Sequence, residues 1–81
     1  MAILNITYQG LSIDYAREIS ERMTDHDIRR TAVEIVRSGE MPGLQVAHLD
    51  PHAFDGFVVD RVRTPGGMHR IYLRPKVPFG A

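Results

Sequence analysis

Between Thr24 and Gly39 the chain carries the start and stop signals of a single helix, and the residues on either side of it alternate between apolar and polar. That combination constrains the fold more than any other feature. One amphipathic helix must bury its stripe, and period-two segments supply a sheet face to bury it against. Thr24 can cap the helix, and Asp27 at the third position imitates a capping box and suits the positive end of the dipole. Ile28, Ala32, Ile35 and Val36 fall on one face, with Arg30, Glu34, Arg37 and Ser38 on the other. Arg37 suits the negative pole, Gly39 suits a left-handed terminal residue, and Pro42 forbids continuation. A helix is predicted over about 25–38.

Upstream, Leu4, Ile6 and Tyr8 alternate with Asn5, Thr7 and Gln9, and Leu11, Ile13 and Tyr15 alternate with Ser12 and Asp14. Gln9-Gly10 between them is a two-residue turn signal, because glycine accepts positive φ. A hairpin over about 3–16 is the preferred reading. Leu11, Tyr15, Ile19 and Met23 also recur every four residues, so a helix over about 12–23 is the rival. Downstream, Leu44–Leu49 alternates as a short strand, Asp50-Pro51-His52 breaks it, and residues 57–63 and 68–74 are two strands joined by Thr64-Pro65-Gly66-Gly67. The expected fold class is α+β. One helix packs on a four- to five-stranded sheet in the order β-β-α-β-β-β, with β-α-α-β-β-β as the alternative.

A hairpin (Leu4–Tyr15) followed by a capped helix (Thr24–Gly39) with Ile28 and Ala32 buried resembles the ubiquitin-like β-grasp superfamily. The resemblance covers about half the chain and implies the helix crossing one face of the sheet. The second half departs from the pattern, with a hairpin around Pro65-Gly66-Gly67 where ubiquitin-like chains have irregular connections and one final strand. Conjugated or sulfur-carrying members need a narrow tail ending in Gly-Gly, and Pro78-Phe79-Gly80-Ala81 meets that poorly. The rival order resembles RelE-like ribonuclease toxins, which are strongly basic, whereas this chain has ten basic and ten acidic residues.

The 81 residues leave room for one domain over 1–81. Without cysteine there is no disulfide, no thiolate ligand and no thiol nucleophile, so stability must come from a thin core or from association. No stretch is apolar enough to span a membrane, and the first residues lack a signal-peptide pattern. A soluble, cytoplasmic protein with no membrane partner is the expectation. Zero net charge weighs against nucleic acid, although residues 41–81 carry five basic and three acidic groups, a surplus of two.

Candidate chemistry is sparse. His48, Asp50 and His52, with Asp55 beyond, could offer nitrogen and oxygen ligands to a divalent metal, but Pro51 prevents a shared helical face and no ligand motif is matched. His26 between Asp25 and Asp27 could move protons, although such a trio at a helix start is commonly only polar surface. There is no nucleophile elbow and no phosphate loop. Neither a catalytic residue nor a cofactor is expected. The most suggestive surface is the last hairpin, with Arg70, Tyr72 and Arg74 on one face and Arg61 and Arg63 expected beside them, Phe57 and Val59 joining that face. Arginines around an exposed tyrosine suit an acidic protein, phosphate or stacked bases. The expected function is a small non-catalytic protein-interaction module, an adaptor or accessory subunit, meeting a protein partner or a second copy as a homodimer. A nucleic-acid-associated protein using the same hairpin is the alternative.

Overall fold

The computed structural model describes residues 1–76. Its elements are β1 (Ala2–Tyr8), β2 (Leu11–Ile19), α1 (Asp25–Ser38), β3 (Val58–Arg63) and β4 (His69–Arg74). The four strands form one mixed sheet in the order β2-β1-β4-β3. Both hairpins are antiparallel, and they join along a parallel β1–β4 seam that pairs Ala2 with His69 and Ile6 with Leu73. The helix lies on one face only.

The first turn forms as its residues suggest, with Gln9 at φ 50° and Gly10 at φ 82°. Positive φ at both central residues matches the right-handed twist of the flanking strands. Between the pairs Ile3–Glu18 and Asn5–Asp14, two steps on β1 oppose four on β2. This bulge lets β2 run on to Ile19, so residues 11–23 do not form the rival helix, and the order that resembles the RelE-like toxins is not present.

The helix has the predicted bounds. The Thr24 hydroxyl accepts from the Asp27 N–H at 3.1 Å, and Gly39 closes the helix at φ 78°. Ile28, Ala32, Val33, Ile35 and Val36 are buried against Ala2, Leu4 and Ile6 of β1 and Ile71 and Leu73 of β4.

The expected strand over Leu44–Leu49 does not form. Residues 39–57 contain neither helix nor strand, and the observed order is β-β-α-β-β with four strands rather than five. The physical reason lies in where the backbone groups go. The Val46 N–H donates to the Val36 carbonyl at 3.2 Å, the Leu49 N–H donates to Val46 O at 3.1 Å, and the Leu49 carbonyl accepts from the Arg37 guanidinium through Nε at 2.8 Å and also through Nη2. These bonds leave no ladder for a neighbouring strand. The segment still completes the core. Met41, Leu44, Leu49 and Phe54 are buried, and Phe54 stands edge-on to Tyr8 and Phe57 with ring centroids 5.5 and 4.8 Å apart. Arg29 secures the far end by donating to the Phe57 carbonyl at 3.1 Å.

No helix among the described residues is long and apolar enough to cross a membrane. The Pro78-Phe79-Gly80-Ala81 tail lies outside the described residues.

Candidate functional site

The open face of the sheet holds three of the five residues expected there. Antiparallel register pairs Asp60 with Tyr72 and Val62 with Arg70, so Val58, Asp60 and Val62 share the outer face with Arg70, Tyr72 and Arg74. Arg61 and Arg63 therefore point to the helix side, which corrects the expectation that all five converge. Phe57 and Val59 are not exposed on the outer face either; both are half-buried and pack against the core.

The outer face satisfies its own polar groups. Arg70 donates to Asp14 Oδ1 at 2.7 Å and to the Tyr72 hydroxyl at 2.9 Å, and its guanidinium carbon sits 5.4 Å from the Tyr72 ring centre. Asn5 donates to Asp14 at 3.0 Å and accepts from Ser12 at 3.0 Å. The chain of contacts thus ties β2 to β4 across β1. The Asn5 hydrogen bond, followed by the Arg70 contact, outweighs burial and holds the Asp14 carboxyl below its ordinary value. Asp14 and then Tyr72 raise the already high Arg70 value. Arg74 bonds Asp60 through Nε at 2.6 Å. Both arginines are thus engaged with carboxylates, and this face is a balanced surface rather than a field of free cations.

Arg61 serves the fold. It donates to the Glu21 carbonyl at 3.1 Å, the Met23 carbonyl at 2.7 Å and the Asp25 carboxylate at 2.9 Å, fixing the β2–α1 connection over the start of the helix. Asp25 is thereby engaged, the Asp27 N–H belongs to the cap, and His26 is exposed, so this trio does not converge on a reacting point.

The histidine segment is equally local. The Asp50 carboxylate accepts from the His52 N–H at 2.7 Å, and the His52 ring contacts Asp55 at 2.8 Å while His48 remains exposed. Among the described residues, no three His, Asp or Glu side chains gather to hold a metal ion.

A concave surface lies at the end of the sheet where β3 stops and β4 starts. A cleft of about 150 Å³ is lined by Glu21, Arg61, Val62, Arg63, His69, Arg70 and Ile71. Arg63 and His69 are direct cross-strand partners, so they stand side by side at its rim. Most charges around the cleft are already paired: Arg61 with Asp25, Arg70 with Asp14, and Glu21 with the Met1 ammonium at 2.5 Å. That ammonium contact, followed by a bond to its own backbone, lowers the Glu21 carboxyl from its usual value. Arg63 has no ion-pair or side-chain hydrogen-bond partner among the described residues. Val62, from the other face of β3, also lines the cleft and is 46% exposed, and Met68 in the turn before His69 is 45% exposed. The sequence pattern offered Arg63 as a binding residue, but the cleft and the pairing with His69 depend on the hairpin register, which carries no local sequence signal.

Comparisons of the chain with family models, with curated proteins and with solved structures found no match.

Proposed function

We propose that the chain is a non-catalytic protein-interaction module of the cytoplasm, an adaptor or accessory subunit, and that it meets its partner with the β3–β4 end of the sheet. The observation that carries this reading is a cleft lined by the exposed apolar Val62 and by Arg63, which has no ion-pair partner among the described residues, with the exposed Met68 next to its lining residue His69 in the chain. An apolar contact rimmed by arginine is the composition of a protein-binding patch. Asp14 and Glu21 are lowered by cations and amides that stabilise their charged forms, and Tyr15 is raised chiefly by its hydrogen bond to Glu40.

The fold is read as β-grasp-like, supported by a hairpin, a capped helix on one sheet face and the first strand seated beside the last. A protein partner is preferred over nucleic acid because Arg70 and Arg74 are engaged with Asp14 and Asp60, so phosphate would have to displace a carboxylate at each. The test is capture of partners from native cell extract with the wild-type chain and with a Val62→Ser/Met68→Ser variant, before and after nuclease treatment. A stoichiometric, nuclease-resistant protein lost with the double variant is expected. Recovery abolished by nuclease would move the reading to nucleic acid. Retention unchanged by the double variant would remove this surface as the contact, and concentration-dependent dimerisation in gel filtration would name a second copy as the partner.

A further inference from the structure

We infer that the cleft between Arg63, His69 and Glu21 receives the carboxylate side chain of an acidic partner segment, an inference that rests on the interaction reading above and names the chemistry of the partner. Size argues first. A volume of about 150 Å³ is well under the roughly 300–1,000 Å³ of a small-molecule site. It holds about five waters at liquid density. That suits one side chain arriving from outside rather than an enclosed metabolite.

Charge argues next. With Arg61, Arg70 and Glu21 already paired, Arg63 is the cleft cation without an ion-pair partner among the described residues, and His69 stands beside it. A guanidinium presents a planar fork of donors that matches a carboxylate in bidentate geometry. A phosphate monoester would fit the same fork, but it brings close to two negative charges toward the Glu21 carboxylate lining the cleft. One negative charge balances Arg63 with less repulsion. The surroundings supply the rest of the specificity. Val62 lines the cleft and is exposed, so a residue next to the entering carboxylate is expected to be aliphatic. The partner segment therefore alternates or interleaves acidic and aliphatic residues.

Arg63 is suited to this role for a structural reason. It is the last residue of β3, an edge strand, and its side chain is exposed. Its replacement leaves no buried group without a partner and no ion pair broken among the described residues, so loss of binding can be separated from loss of fold.

The test uses the whole protein and a blocked peptide of Glu and Leu residues, followed by amide shifts in a two-dimensional NMR titration. The Gln-Leu analogue, inorganic phosphate and a single-stranded oligonucleotide serve as competing probes. The expected result is a set of shifts centred on Val62, Arg63, Met68 and His69, with the Gln-Leu peptide and the Arg63→Gln variant each weaker by about tenfold or more, the size of a lost charge-assisted bond. Arg30→Gln removes the same charge from the exposed face of the helix and is expected to bind as the wild type does. No peptide binding, or shifts centred on Tyr72 and Arg74, would overturn the inference. Tighter binding of phosphate or oligonucleotide at the same residues would also overturn it. If the peptide binds at Val62 and Met68 equally well with Gln for Glu and with Arg63→Gln, the carboxylate pocket fails while the interaction surface stands. Loss of captured partner in the Val62→Ser/Met68→Ser experiment reports on the surface alone.

Discussion

Replacing Phe54 with Ala tests whether the irregular 39–57 connection is part of the cooperative core. Phe54 is fully buried although it lies in neither helix nor strand, and its ring meets Tyr8 and Phe57 at edge-to-face distances. Removing a buried phenyl ring costs about 3–5 kcal/mol when the cavity does not collapse. The two aromatic contacts place Phe54 toward the upper part of that range, since each such pair adds about 0.5–1.5 kcal/mol beyond its area. The expected loss is about 4–5 kcal/mol. A chain of this length has roughly 4–12 kcal/mol of stability in total, at about 0.05–0.15 kcal/mol per residue. The variant is therefore expected to lose a third or more of its stability, and to sit close to its unfolding transition if the wild type lies at the low end of that range. The assay is urea unfolding followed by circular dichroism, with Phe54→Leu as the volume-retaining control, for which a loss of about 1–2 kcal/mol is expected. A loss under about 1 kcal/mol for Phe54→Ala, with the denaturant slope unchanged, would refute the reasoning. It would mean that the connection opens without exposing the sheet core.

Two other expectations follow from named contacts. Gly39→Ala places a Cβ 2.9 Å from Gln45 Nε2 at a backbone φ of 78°, so a loss of about 1–2 kcal/mol is expected. Adding Gln45→Ala should recover the steric part and leave the backbone part, as measured by thermal unfolding. The Asp14 carboxyl is lowered below its ordinary 3.8, so its contribution is full above that value and is lost as pH falls through the depressed one. Urea midpoints should decline below about pH 4 with a shallower slope in Asp14→Asn, and identical slopes would show that the Asn5 and Arg70 contacts add nothing to stability.

Much of the architecture is legible in the chain because its signals are local. Thr24, Gly39 and Pro42 bracket the helix, Gln9-Gly10 closes one hairpin and Pro65-Gly66-Gly67 the other. What failed depended on register or on distant partners. Leu44, Val46 and Leu49 alternate like a strand, yet the Val36 carbonyl and the Arg37 guanidinium claim the backbone groups that a ladder would need. The candidate surface failed by parity. The Thr64 N–H bonds the Met68 carbonyl at 2.8 Å, which sets Arg63 opposite His69. With one residue more or fewer in that loop, Arg61 and Arg63 would have shared a face with Arg70, because a single-step slip turns every side chain over. The pairing of Arg70 with Asp14, residues far apart in the chain, leaves no short-range trace at all.

The parallel seam between β1 and β4 also bears on how the protein is made. β1 ends at Tyr8 and its second neighbour starts at His69, so 69 − 8 = 61 positions separate them. At ribosomal rates of about 5–20 residues per second, one edge of β1 waits roughly 3–12 seconds for the strand that covers it. During that interval Ala2, Leu4 and Ile6 belong to a nascent hairpin whose backbone groups on that side are open to any other extended chain. The order of the strands thus gives early synthesis an open β1 edge that the finished sheet covers with β4.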